Sequence, residues 1–277
     1  MAEITAAMVR KLREETTLPM MDCKQALTEA GGDMEKAKEI LRAKGLTIQK
    51  GRGARETAFG RFGIHAGSDK KSGAIVELKC ESAPVAGSAE FIQLANDLAQ
   101  QLASGPGAAT ADELLDQPAP SHPGKTLRAV KDDMFNRIRE VFNVGRLARI
   151  DGASGGYSHN AGTVSGVLVH IEGGSDDAAK DVSMHIAAMR PLALNKEEVD
   201  PEIVQKEREF LKQAALAEGK PANIVDKMVE GRLKNFYAER VLLEQPFVKE
   251  NSMSVGQYAD SKGMKVKKFV HWELGKE

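Results

Sequence analysis

The chain has 277 residues, of which 42% are hydrophobic and 29% are charged, a composition typical of a folded protein with a sizeable apolar core. Its 39 basic and 40 acidic residues nearly cancel, so no overall field attracts nucleic acid or an anionic membrane. The two cysteines lie far apart and form no CxxC pair, which favours packed thiols in a reducing cytosol over a disulfide scaffold or a zinc site.

Membrane and export signals are also missing from the sequence. No apolar run approaches the ~20 residues that a membrane span needs. The N-terminal stretch MAEITAAMVRKL begins a helical pattern at once, without the apolar segment of a signal peptide. We therefore predict a cytoplasmic protein, with neither a membrane nor nucleic acid as a direct partner.

The N-terminal residues contain three short helical patterns, each with one apolar stripe. The stripes are Ile4, Met8, Val9 and Leu12, then Cys23, Ala26, Leu27 and Ala30, then Met34, Ala37, Ile40 and Leu41. Thr5 and Asp33 are suited to cap the first and third helices, glycines 31 and 32 to form the turn before the third helix, and Gly45 to end the third helix. The pattern predicts a compact three-helix domain over residues 1–45.

Residues 46–57 are rich in glycine and basic side chains, which predicts an exposed linker whose charge favours solubility over RNA contact. A first core subdomain is predicted over 58–145. It begins with the strand-like runs FGRFGIHAG and SGAIVELKCES, which the turn-rich SDKKSG joins into an antiparallel hairpin. Helices follow over 89–102 and 127–142, separated by a proline-rich loop with one helical turn at DELL.

Residues 146–277 form the second predicted core subdomain. It has a strand at Val164–Ile171 and a helix in SDDAAKDVSMHIAAMRP. Asp200 and Pro201 are typical of a helix start and open an antiparallel helical hairpin over 200–240. A short helix from Ser254 and a strand in MKVKKFVHWELG complete an α+β fold.

The sequence offers only weak matches to catalytic and phosphate-binding motifs. PGKT at 123–126 ends like a phosphate loop, but Ala119 stands where that motif needs glycine, and prolines remove amides from the cradle. GGSDDAAK at 173–180 could place an anion at a helix N-terminus, although an ordinary capped helix start explains it better. The six histidines form no HxxxH pair, and no nucleophile lies beside a base. We predict a protein that is not an enzyme and has no cofactor or metal.

Several longer stretches carry a resemblance to one family. Residues 18–45, LPMMDCKQALTEAGGDMEKAKEILRAKG, resemble the N-terminal signature of the elongation factor Ts family. Members of this family are the guanine-nucleotide exchange factors of bacterial elongation factor Tu. The similarity continues, in order and spacing, through IVELKCES, GVLV, MHIAAMRP, GKPANIVDKMVEGRLKNF and LLEQPFVKENSMSVGQY. The resemblance implies an α+β fold in which a three-helix domain of the ubiquitin-associated type precedes two α+β core subdomains, with the helical hairpin inserted as a short coiled coil.

The resemblance also implies a function. The protein would bind elongation factor Tu in its GDP-bound and nucleotide-free forms and promote GDP release and GTP entry by distorting the nucleotide and magnesium site. A factor that binds the empty GTPase more tightly than the GDP-loaded one must lower GDP affinity by the same ratio, so no catalytic group is required. The resemblance leaves the assembly open between a heterotetramer and a homodimer.

One candidate contact departs from the family pattern. After the cysteine and its neighbour the family usually has Thr-Asp-Phe, whose phenylalanine wedges between helices of the GTPase, whereas this chain has Ser82, Ala83 and Pro84, followed by Val85. Either rigid Pro84 in this loop is an altered wedge, or exchange relies on other contacts. A third interpretation is an exchange-deficient adaptor or chaperone-like binder of the same GTPase.

The remaining candidate contacts match the family position by position. Met20 and Met21 match paired methionines that touch the GTPase, although methionines at helical spacing are usually core, and we expect one of the two to be buried. His185 matches a histidine directed at the phosphate-loop region of the partner, and its alternative role is a hydrogen-bonded core residue. Gly166 matches a contact glycine, with Ser165 where an apolar residue usually stands.

Overall fold

The computed structural model of the chain describes residues 4–53, 55–219 and 221–276. They form two compact units. The first comprises the residues up to Gly63 together with Val76–Leu147, and the second comprises Ile64–Ile75 together with the residues from Ala148 onward. Helices and short sheets alternate along the chain, which confirms the predicted α+β class.

The first unit begins with three helices, α1 (Ala6–Thr16), α2 (Met20–Glu29) and α3 (Met34–Arg52). Their caps are those predicted: the Thr5 hydroxyl accepts the amide of Met8, and one Asp33 oxygen accepts the amides of Glu35 and Lys36. The predicted stripes meet in one apolar core around Leu12, Cys23, Ala26, Leu27, Ala37 and Leu41.

The predicted helix end at Gly45 is wrong, because α3 continues through this glycine to Arg52. The residue serves a different purpose: a Cβ at Gly45 would lie 1.7 Å from the side-chain oxygen of Asn136. A glycine therefore permits close approach at this point rather than a turn. The first residues of the stretch predicted as a linker are accordingly helical.

The rest of the first unit, in its described residues, combines strands with further helices. The strands β1 (Phe59–His65), β2 (Ser72–Cys80) and β3 (Asn143–Asp151) form a sheet in the order β1-β2-β3, and the boundary between the two units falls within these strands. The helices are α4 (Ala83–Ala86), α5 (Ala89–Ser104), α6 (Ala111–Leu115) and α7 (Leu127–Ile138). The apolar faces of α5 and α7 are buried against each other, with Phe91, Leu98 and Phe135 fully enclosed.

Two sequence predictions fail between residues 139 and 151. The predicted helix ends at Ile138 rather than at residue 142, because Arg139 adopts the left-handed conformation with φ 65°. The following strand β3 was not predicted from the sequence. Its apolar residues Val144, Leu147 and Ile150 recur every third position, a spacing that does not indicate a strand.

The second unit is built on an antiparallel sheet of β4 (Ser154–His159), β5 (Ser165–Gly173) and β8 (Met264–Glu273), with β5 in the centre. Helix α8 (Asp176–Met189) covers one face of this sheet, and its residues Ala178, Val182 and Ile186 are buried against β5. The approach is close, since a Cβ at Gly155 would lie 2.4 Å from the Cβ of Ala179.

Two long helices follow, α9 (Pro201–Ala217) and α10 (Ala222–Arg240), which pack together through Ala215, Val225, Val229 and Leu233. Asp200 caps α9 as predicted by accepting the amide of Glu202. The chain then forms β6 (Pro246–Phe247), β7 (Glu250–Ser254) and α11 (Val255–Ser261) before β8. Ser254 caps α11 in a capping box with Gln257, as the sequence predicted for a helix beginning there.

Candidate functional site

The segment after β2, predicted as a loop, is a one-turn helix, α4. Ala83 and Pro84 are exposed at its start, whereas Val85 is half-buried. Proline is tolerated in a first helical turn because the amide it lacks would have no intrahelical partner there. The surface presented at this point is therefore small, apolar and ordered.

Ser82 anchors this short helix instead of lying on its exposed face. Its hydroxyl donates to Glu140 Oε1 at 2.6 Å, and its carbonyl accepts from the Cys80 thiol at 3.2 Å. Burial raises the pKa of Cys80 to about 11, so the thiol keeps the proton that it donates. The two bonds fix the backbone that leads into Ala83.

A short segment of three residues, 139–141, links the same region to α2 in the first unit. Arg139 forms an ion pair with Asp22 at 3.1 Å, and the amide of Val141 donates to Glu81 at 2.8 Å. Burial acts to raise the pKa of Glu81, but the Val141 amide and the cation of Arg55 outweigh it and hold the pKa below its usual value. The start of α2 and the start of α4 are thus tied to one backbone segment.

Met20 and Met21 lie at the start of α2, and both are exposed, to 50% and 73%. The expectation that one of them is buried is wrong, because the core contribution of α2 begins one turn later, at Cys23. Two large apolar side chains on the surface of the first unit are available to a partner.

Ser165 and Gly166 are buried in the central strand β5. Ser165 pairs with His159 of β4 and Glu273 of β8, and it is only 3% exposed. Gly166 occupies the next position between the same two strands. The structure thus places neither residue on the surface of the second unit.

His185 is fully buried on α8, with both ring nitrogens in hydrogen bonds. Its Nδ1 accepts the amide of Val248 at 3.3 Å, and its Nε2 lies 2.9 Å from Gln245 Oε1. Burial lowers the pKa of His185 below its ordinary value, and the bond with Gln245 opposes this only in part. The geometry corresponds to the core alternative that the sequence left open, with a neutral imidazole.

Sequence reasoning missed two features close to His185. Gln245 is fully buried, and its signal was a lone amide in the apolar run LLEQPF. Met189, Leu192 and Val248 are 42%, 54% and 41% exposed. These three side chains are apolar surface of the second unit.

A cavity of about 440 Å³ in the first unit includes none of the candidate residues. It is lined by residues of α1, α3 and α7 and contains the ion pairs Lys38–Glu15 and Lys125–Asp133. Within the described residues no group of three His, Cys, Asp or Glu side chains could hold a metal ion. The absence of a cofactor stays a prediction. None of the helices in the described ranges has the length and apolarity to cross a membrane.

Comparison with known proteins gives a consistent result along the whole chain. A family model described as elongation factor TS matches residues 81–276. The chain is 43% identical over 275 residues to elongation factor Ts of Methylococcus capsulatus, covering 98% of this chain and 92% of that protein. It is 41% identical over 284 residues to elongation factor Ts of Aquifex aeolicus, covering 96% of each.

Proposed function

This chain belongs to the elongation factor Ts family and is a translation elongation factor, and from that premise we propose that it binds elongation factor Tu and accelerates its release of GDP. The single observation that carries the proposal is 43% identity to a member of the family over 98% of the chain. A cytoplasmic location follows from the proposed role and stays a prediction.

The exposed residues of the first unit support a surface mechanism. Met20 and Met21 offer flexible apolar side chains, which adapt well to a partner surface. Ala83 and Pro84 offer a small rigid surface on α4, which the Ser82–Glu140 bond holds in place. In the proposed complex these four side chains touch the GTPase.

The buried candidate residues have a supporting part in the proposal. Ser165 and Gly166 hold the central strand of the second unit, and His185 holds the backbone of Val248. They act on the partner through the surface that they position, and direct contact would require a rearrangement of the second unit.

The mechanism needs only differential affinity. The chain can bind the two forms of the GTPase with different affinities. If it binds the nucleotide-free form more tightly than the GDP-loaded form, the affinity of the GTPase for GDP falls by the ratio of these two affinities. A tenfold effect corresponds to about 1.4 kcal/mol of differential contact energy. Exposed apolar groups can supply this without a nucleophile, a metal or a proton transfer.

A second candidate function rests on the sequence of α4. Ala83 and Pro84 replace the acid and the aromatic usual in the family, and loss of a buried aromatic contact can cost ~2 kcal/mol. An adaptor or chaperone-like binder that holds the GTPase without accelerating exchange would be compatible with that change.

The deciding experiment measures stopped-flow release of a fluorescent GDP analogue from elongation factor Tu of the same organism at increasing concentrations of this chain, together with binding of the two proteins by calorimetry. Strong acceleration supports exchange, and tight binding without acceleration supports the second candidate. Absence of binding refutes both. The double variant Met20→Ala, Met21→Ala should weaken binding about tenfold, since contact residues of this kind contribute ~1 kcal/mol or more. Phe59→Ala, which removes an exposed apolar side chain outside α2 and α4, is the matched control.

A further inference from the structure

The side chain of Gln245 joins the ends of two helices inside the second unit. Its Nε2 donates to the Glu239 carbonyl in the last turn of α10 at 2.8 Å, and to the Met189 carbonyl at the end of α8 at 3.5 Å. Its Oε1 faces His185 Nε2 at 2.9 Å. We call Gln245 with His185, Met189 and Glu239 the Gln245 junction.

The hydrogen bonds of the Gln245 junction determine one another. An amide N–H can only donate, so the Val248 amide requires His185 Nδ1 to be the acceptor. The hydrogen of the neutral imidazole is then on Nε2, and Gln245 Oε1 must accept it. This orientation turns the amide NH₂ of Gln245 toward the two carbonyls. A buried network that is satisfied in this way has a single arrangement.

Backbone bonds extend the Gln245 junction to the chain on either side of the helical hairpin. The amide of Leu192 donates to Arg240 at 2.8 Å, and the amide of Leu242 donates to Ala193 at 2.9 Å. The segment that follows α8 is therefore paired with the segment that follows α10. The base of the hairpin and the end of α8 are connected by main chain and by side chain.

Met189, Leu192 and Val248, the exposed apolar residues described above, each take part in one of these hydrogen bonds. Met189 accepts from Gln245, Val248 donates to His185, and Leu192 donates to Arg240, next to Glu239. A change at the Gln245 junction would move the backbone that carries each of these side chains. The side chain of Gln245 itself is fully buried and offers nothing to a partner.

Resting on the proposed function, we propose that Gln245 is a positioning residue that joins the end of α8 and the base of the α9–α10 hairpin into one element. Contacts with the GTPase made by the two parts then form together. Because the two parts are held as one element in the bound complex, the contact energy of both acts together on the nucleotide site. The residue acts through the surface that it holds.

The first test uses Gln245→Met, which keeps the length of the side chain and removes its hydrogen bonds. The saturating rate of GDP release should fall about fivefold, which corresponds to about 1 kcal/mol, the net contribution of one hydrogen bond, while the half-saturating factor concentration stays the same. A purely structural role would do the reverse, since a smaller folded fraction raises the half-saturating concentration and leaves the saturating rate intact. Gln117→Met is the control, because Gln117 also joins a side chain to a carbonyl but lies in the first unit.

The outcomes separate this inference from the function on which it rests. A wild-type chain that does not accelerate release refutes the proposed function. A wild-type chain that accelerates release with the same saturating rate as Gln245→Met refutes the positioning role.

A second test uses the wild-type chain alone, so it depends neither on the GTPase nor on the folding of a variant. In native-state hydrogen exchange of the wild-type chain, the amides of Leu192, Leu242 and Val248 should open with one common free energy, because a single element opens as one cooperative unit. Distinct opening free energies for Leu192 and Val248 would show that the Gln245 junction does not join the two parts, and would overturn the inference.

Discussion

Replacing His185 by alanine tests the burial of its imidazole directly. The substitution leaves the Val248 amide and Gln245 Oε1 without their buried partner and removes the ring that lies 5.8 Å from the ring of Phe247. A buried polar group without a partner costs roughly 1–3 kcal/mol, and a cavity in place of a buried ring adds to this. We expect the second unit to lose about 3 kcal/mol of unfolding free energy, at the lower end of these sums.

The assay is urea unfolding followed by the fluorescence of Trp272, the single tryptophan of the chain, which lies on β8 of the second unit. With a slope of ~2 kcal/mol per M urea, the loss corresponds to a midpoint lower by about 1.5 M. His122→Ala is the control, because the His122 side chain is 43% exposed. A loss no larger than the ~0.5 kcal/mol typical of surface substitutions would refute burial of the His185 ring.

Three further predictions concern α4, α3 and protonation. Pro84→Gly should slow the proposed GDP release by about threefold, a loss of roughly 0.7 kcal/mol for one contact, with little change in thermal stability because Pro84 is exposed; stopped-flow release at the wild-type rate would remove Pro84 from the mechanism. Gly45→Ala should destabilise the first unit by roughly 1–3 kcal/mol in circular-dichroism melts, because its Cβ would lie 1.7 Å from a side-chain oxygen of α7. Gly51→Ala, whose Cβ meets nothing within 4 Å on the same helix, should be neutral or slightly stabilising, and equal effects would contradict the close approach. Because burial lowers the pKa of His185 below 6.5, the unfolded state binds the proton first, so the second unit should lose stability as pH falls through 6.5 and level off below the folded-state pKa. In His185→Ala this slope should weaken, with a remainder from His271, whose pKa burial also lowers; an unchanged slope in urea titrations would contradict a neutral buried imidazole.

Local features of the fold were predictable from the sequence because local bonds create them. Thr5, Asp33 and Asp200 cap helices as predicted, and the helix predicted from Ser254 begins there, since each cap needs only an amide two or three residues away. The use of Gly45 was not predictable in this way, because the atom that excludes a side chain there belongs to a helix distant in the sequence. Strand β3 was missed for the same reason. Its spacing of apolar residues does not indicate a strand, and it is its pairing with β2, which is distant in the sequence, that makes it one.

The candidate site shows the same difference between local features, which were predictable, and distant contacts, which were not. The position of the 82–85 segment followed from the resemblance, but its anchor did not, because Ser82 and Glu140 are 58 residues apart. The bond between His185 and Gln245 spans 60 residues and decides that the imidazole is buried. A resemblance assigns a residue to a position in the family pattern. The chemistry of the residue depends on the side chains that bond to it, and these come from distant parts of the chain that no local pattern includes. The predicted domain boundaries stay a prediction.

The replacement of an acid and an aromatic by Ala83 and Pro84 changes where the proposed binding energy can come from. An aromatic wedge gains energy from the area that it buries in the partner, and a two-residue apolar tip cannot supply the same area. The tip can instead lower the cost of binding, since Pro84 has a fixed φ, Ser82 is bonded to Glu140, and Arg139 pairs with Asp22, which follows Met21 in α2. On this argument the methionines supply most of the contact energy and α4 supplies a fixed shape, so removing Met20 and Met21 should weaken binding more than changing Pro84.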